Sequence, residues 1–252
     1  MRRATLYYLL FAGLLFSPFF FLGRVFVPGD VLWFIYPWRA YQESFPQNLE
    51  LFDVTVFFYP QDVFFNAALK SGEFPLWNPY IFGGHPVVSS GQSGFHYPLR
   101  ILFHWIFSVG VAKTWLQFLH LFGMGLAMRY FFRCRGYSDF PSTLGGLAWM
   151  GNSYVLSWLE FEHVPIAGFY LPLMLIAFEK GLSGSKTGWL GLALTGALTL
   201  HSGHLQIVTY VGLIFGLYVL SRLVRQRPKA IDLAGLGISS VLALALAAPT
   251  VL

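Results

Sequence analysis

Long apolar runs with almost no charge recur along this chain, separated by short clusters of arginine and lysine, and such a chain folds most readily into helices that cross a lipid bilayer. The first run follows Met1, Arg2 and Arg3 and continues to Leu22, longer than a signal-peptide core and without a small-x-small cleavage site before Arg24. Further runs cover Ala112 to Phe132, Pro141 to Leu159, Pro165 to Phe178, Trp189 to Leu200, Leu205 to Leu220 and Leu233 to Leu252. Each is about as long as a bilayer core is thick, or somewhat shorter. The expectation is an all-α, polytopic integral membrane protein with about seven transmembrane helices, forming one transmembrane domain over 1–252. The last run reaches Leu252 with no polar tail, as expected of the front part of a longer protein.

The charges orient these helices. Of 16 basic residues, Arg2, Arg3, Arg129, Arg133, Arg135, Lys180, Lys186, Arg222, Arg225, Arg227 and Lys229 fall on one side, which the positive-inside rule makes cytoplasmic. The N-terminus is then cytoplasmic as well. The short turns on the opposite side, Glu160 to His163 and His201 to His204, hold no lysine or arginine. The net charge of +5 reflects this topology, because the basic residues are not pooled on one soluble face, and no nucleic-acid partner is expected. The single cysteine, Cys134, lies between two arginines at a helix end, so neither an internal disulfide nor a thiol metal cluster is available.

One long interruption remains, an external loop from Val27 to Pro98. Loops of this length are functional or disordered, and this one is rich in aromatics and prolines, which favours a segment folded against the membrane surface. A pattern of an acid, aromatics and Tyr-Pro occurs in it twice, as DVLWFIYP from Asp30 and DVTVFFYP from Asp53. After the second copy, proline and acid at Pro60 and Asp62 and Lys70 followed by Gly72 bracket a short helix with an apolar face suited to the interface. PLWNPY, FGGHP and GQSGFHYP follow, dense in the glycine and proline of tight turns.

These motifs, D-x6-P, G-x-x-P-L-W-N-P-Y, F-G-G-x-P, G-Q-S-G and Y-P-L, resemble the first external loop of bacterial YfhO-type membrane proteins, a family grouped with the GT-C-fold glycosyltransferases. GHLQ at Gly203 to Gln206 is similar to the family's Gly-His-Pro-Gln turn, with Leu205 in the proline's place. The resemblance implies an enzyme of the bacterial cytoplasmic membrane. It would move a sugar from a polyprenyl-phosphate carrier to a cell-envelope glycan or polymer on the external face, with an acid of the first loop as general base.

Such chemistry needs a carboxylate to take the acceptor hydroxyl proton. Asp53, just ahead of the interfacial helix, is the first choice and Asp30 the reserve; either could instead only cap a helix. A cation must meet the leaving phosphate, and Arg100 beside Tyr97-Pro98-Leu99 is the best placed of Arg24, Arg39, Lys70 and Arg100. Trp77, Asn78, Tyr80 and Gln92 could stack on and hydrogen-bond sugar rings, with His85 of FGGHP beside them, although the aromatics could equally anchor the loop among headgroups. His204 and Gln206 could contact phosphate or acceptor. Glu160, Glu162 and His163 could bind a divalent cation or form only a solvated turn, while Glu43, Glu50, Asp62 and Glu73 read as solvated loop charges. His120, inside an apolar run, is expected to hydrogen-bond a neighbouring helix.

HExxH, paired CxxC and GxSxG motifs are absent, and Ser185 takes the glycine position that a phosphate-binding loop needs before Lys186-Thr187. A transporter or flippase of lipid-linked glycans would want ionisable residues near mid-membrane, where these runs carry few. A noncatalytic scaffold of envelope assembly would use the loop as a docking surface with dispensable acids.

Overall fold

The computed structural model describes residues 2–42, 45–87, 92–226 and 228–251. Glu43 of the expected loop charges, Gly91 of GQSG, Arg227 of the basic cluster and the terminal Leu252 lie outside the described residues. The fold is all-α among the described residues, apart from one pairing of two-residue strands.

The first apolar run forms α1 (Arg2–Leu15) and α2 (Ser17–Leu22), which break at Phe16 ahead of Pro18 and end on Gly23 at φ +64°. The loop then carries three short 3-10 turns, Gly29–Phe34, Trp38–Tyr41 and Leu49–Leu51, before a π turn, Val54–Phe58, runs into α3 (Tyr59–Lys70). Strands β1 (Trp77–Asn78) and β2 (His85–Pro86) pair antiparallel, with Trp77 opposite Pro86. After them come α4 (Pro98–Ile106), α5 (Val109–Cys134), α6 (Asp139–Met150), α7 (Ser153–Ser157), α8 (His163–Leu182), α9 (Lys186–Leu200), α10 (Leu205–Arg225), α11 (Ala230–Leu246) and α12 (Ala248–Val251).

Every expected apolar run is helical, but the run from Pro141 to Leu159 is not one helix. Gly151 follows α6, and the Asn152 side chain accepts a hydrogen bond from the Val155 amide at 2.9 Å, starting α7. An asparagine that can cap offers the backbone an alternative to continuing the helix. Among the described residues, two helices, α8 and α10, combine the length and hydropathy needed to cross a membrane; the apolar stretch of α8 is 78% buried and that of α10 only 17%. Helix α9, with 15 residues, spans about 22 Å at 1.5 Å per residue, short of a bilayer core.

Helix α8 is the centre of the bundle, with α5, α9 and α10 packed around it and α6 against α5. Tyr8, Phe16, Leu121, Met124, Met150, Ala167 and Phe178 are buried together in the main core. Glycines set the close approach of α5 and α6: a Cβ on Gly146 would lie 2.6 Å from the carbonyl oxygen of Gly125. The Tyr8 hydroxyl donates to the Thr143 carbonyl at 3.0 Å, which ties α1 to α6.

Candidate functional site

The two acid-aromatic-proline copies adopt different backbones. Asp30 lies in the first 3-10 turn, where its Oδ2 accepts from the Gln47 amide at 2.8 Å. Asp53 immediately precedes the π turn, and its side chain makes no capping hydrogen bond. Single π turns inside helical segments recur at functional sites. The Thr55 hydroxyl donates to the Pro28 carbonyl at 2.8 Å and holds the second copy against the first.

Asp53 is exposed on the wall of a cavity of about 570 Å³, whose lining also includes Glu50, Gln92, His204, Gln206 and Tyr210. Four residues singled out from three separate sequence motifs, Asp53, Gln92, and His204 with Gln206, therefore share one cavity. Gly94 and Gly203 explain how GQSG and GHLQ meet. Both have positive φ, +59° and +102°, and a Cβ on Gly203 would lie 2.5 Å from the Gly94 amide nitrogen. The Gln206 amide donates to the Tyr210 hydroxyl at 2.6 Å along α10. Burial pushes His204 below the ordinary histidine range, so its imidazole is neutral at pH 7.

A separate, apolar cavity of about 380 Å³ lies beside it between α7, α8 and α10. Tyr154, Val164, Ile207 and Tyr210 line both, and Val211 and Ile214 line the apolar one. The pair is polar at the loop end and greasy along the helices.

Trp77, Asn78 and Tyr80 line a different cavity, a groove of about 890 Å³ between α3 and the β1–β2 hairpin. Phe57 belongs to the walls of both this groove and the Asp53 cavity. Asn78 is buried and accepts from the Tyr80 amide at 2.9 Å, so its side chain shapes the turn. His85 lies in neither cavity and sets its ring against Phe82.

Arg100 corrects the expectation of a phosphate-facing cation. It is fully buried, paired with both Asp62 of α3 and Glu162 just before α8. Lys113 of α5 joins them, 2.8 Å from Asp62 and 3.7 Å from Glu162. Asp62 is thus no solvated loop charge either. Burial alone would raise its carboxyl, but Arg100 and Lys113 outweigh that and hold it below the usual carboxylate range. Two acids and two bases cancel formally, the condition under which buried charge is tolerated, and the set fastens three helices to the turn ahead of α8.

The turn expected to gather Glu160, Glu162 and His163 instead divides them. Glu162 enters the ion cluster, His163 Nδ1 bonds to the Ser202 carbonyl at 2.5 Å, and Glu160 lies near Asp30. Burial, together with the Asp30 charge, raises Glu160 to about 7. Asp62, His104 and Glu162 do bring ligand-capable atoms within 4.8 Å of one another. Arg100 and Lys113 already neutralise both carboxylates there, so a divalent cation would have to displace them. Inside the bundle, the His120 ring bonds to the Tyr97 hydroxyl at 2.6 Å, and that hydroxyl to Tyr170 of α8 at 2.8 Å. Sequence reasoning missed the aromatic wall of Tyr154, Trp158 and Tyr210, since aromatics within apolar runs read as ordinary core or lipid-facing residues.

Comparison of this chain with protein families, with curated proteins and with solved structures gives no match.

Proposed function

We propose that this chain is a membrane glycosyltransferase of the kind its first loop resembles. It takes a sugar from a polyprenyl-phosphate donor and transfers it to a cell-envelope glycan. The observation that carries the reading is the cavity shared by Asp53, Gln92, His204 and Gln206, with an apolar cavity between helices on the other side of a shared wall of Tyr154, Val164, Ile207 and Tyr210. A polar head beside a greasy slot matches a lipid-linked sugar, with amides and rings for the sugar and aliphatic walls for the chain. In the step itself, the acceptor hydroxyl oxygen bonds to the anomeric carbon while the bond from that carbon to the phosphate oxygen breaks. The electron pair leaves with the phosphate and Asp53 takes the hydroxyl proton.

The cavity's charged lining is acidic, Glu50 and Asp53, and Arg100 is occupied elsewhere. A divalent cation held at Glu50 and Asp53 would balance the phosphate's charge, and a chelator should then stop transfer, with activity restored by magnesium or manganese.

We also propose that about seven segments span the bacterial cytoplasmic membrane, with the N-terminus cytoplasmic and the loop external. Helix α4 supports this: it buries Arg100 and His104 and exposes Leu102, Trp105 and Ile106, the inverse of a helix on a water-soluble protein. Helix α10 exposes Leu213, Leu217, Leu220 and Val224. At the opposite end from the Asp53 cavity, Glu179 pairs with Arg135 and Arg222, which places residues of the basic clusters together.

The test is transfer from a labelled polyprenyl-phosphate sugar in membranes. Asp53→Asn should lower turnover by about 10²–10⁴-fold, with the protein folded as before because the carboxylate makes no capping bond. Undiminished transfer would remove Asp53 as the base.

A further inference from the structure

We infer that the groove between α3 and the β1–β2 hairpin is the acceptor subsite, binding the extended cell-envelope glycan separately from the lipid-linked donor; this rests on the glycosyltransferase reading. The groove is large enough for several sugar rings, about 890 Å³, and its mainly apolar and aromatic walls also hold polar side chains such as Ser71 and Glu73. Trp77, Tyr80 and Phe82 are 56%, 82% and 87% exposed, so their rings are free to stack on a glycan.

The hairpin holds these rings in place. The Trp77 indole covers Gly84 so closely that a Cβ there would lie 2.4 Å from the ring, and Tyr80 meets Phe64 edge to face at 5.9 Å. Phe82 has φ +52°, a conformation that bulky residues rarely adopt. Backbone strain that presents an exposed ring to a groove is what a binding site retains and a mere turn, better served by glycine, would lose. Phe57 is a wall of both cavities, so a glycan in the groove would lie across this one aromatic side chain from the Asp53 cavity. Donor and acceptor then approach the base from different sides, the lipid chain from between the helices and the glycan from over α3.

The experiment uses the full chain in lipid nanodiscs with a labelled polyprenyl-phosphate sugar and purified cell-envelope glycan as the titrated acceptor. Donor hydrolysis without acceptor is measured in parallel. Tyr80→Ala and Phe82→Gly are the variants, the second chosen because glycine tolerates the positive φ and preserves the turn. Each should raise the acceptor KM about tenfold and leave the donor KM and hydrolysis unchanged. An unchanged acceptor KM would overturn the assignment. So would an equal fall in hydrolysis and transfer, the signature of rings that only anchor the loop in the lipid interface. A wild-type chain with neither transfer nor hydrolysis would instead remove the glycosyltransferase reading itself, an outcome distinct from failure of the groove.

Discussion

Gly94 and Gly203 lie backbone to backbone, each with positive φ, and a side chain on either would strike the other's turn. Gln92 reaches the cavity through one of these turns and His204 through the other. Gly203→Ala should therefore cost about 2 kcal/mol or more of stability from the combination of strained φ and contact with the Gly94 amide. It should also lower transfer beyond what the lost stability explains, because the two motifs separate. Thermal unfolding and transfer assays on the same preparation check both effects.

The buried ion cluster predicts an asymmetry between breaking it and leaving it whole. Asp62→Ala leaves Arg100 and Lys113 facing Glu162 alone inside the protein, with one cation uncompensated. The expected loss is about 3–5 kcal/mol, seen as a lower unfolding midpoint. Glu73→Ala, at an exposed acid of the same loop, serves as the control and should stay within about 0.5 kcal/mol of wild type.

How much of this was legible in the sequence depended on range. Asp53, Gln92, His204 and Gln206 stood out because each sits in a compact motif of glycines, prolines and aromatics, and short motifs carry their own geometry. Helix α3 was legible from Pro60, Asp62 and Gly72 for the same reason. The burial of Asp62 was not: its partners, Arg100 and Lys113, are 38 and 51 positions away in the chain, and a charged residue with distant partners looks the same in sequence as one in water. Trp77 and Tyr80 were legible as ring-presenting residues, but their separation from the Asp53 cavity by Phe57 follows from how α3 packs. The break at Gly151-Asn152 was written locally, and the continuous apolar pattern on both sides obscured it.

His104 gives the stability a pH dependence. Its ring is buried, neither nitrogen makes a hydrogen bond among the described residues, and burial, with Asp62 opposing, lowers its pKa from 6.5 to about 4. The unfolded chain therefore takes up a proton near pH 6.5 that the folded protein refuses until about pH 4. Stability is complete above 6.5 and falls with pH through that window, by about 1.4 kcal/mol per unit. Asp62, whose carboxyl is held below its ordinary 3.8, acts in a lower window: its contribution is lost only as pH falls beneath that value. His104→Leu should reduce the slope of stability between pH 6.5 and 4 by His104's share, with buried His163 retaining part of it, and leave the acid loss below it. A variant with an unchanged profile would show that another group sets the dependence.

The apolar slot makes the last prediction, about chain length. Ile214 is half exposed in the wall of the apolar cavity, beyond Tyr210 and Val211 on α10. On the proposed function, a lipid tail running from Asp53 into this cavity would pass Ile214, whereas a truncated donor with one or two isoprene units would end nearer Tyr154 and Ile207. Ile214→Trp should therefore raise the KM of long-chain donors by about tenfold, the equivalent of about 1.4 kcal/mol of lost chain contact, and leave short-chain donors unaffected. Turnover at saturation should hold for both, since the substitution is remote from Asp53 and removes ground-state binding alone. An equal effect on long and short donors would place the lipid elsewhere, along the outer faces of the helices.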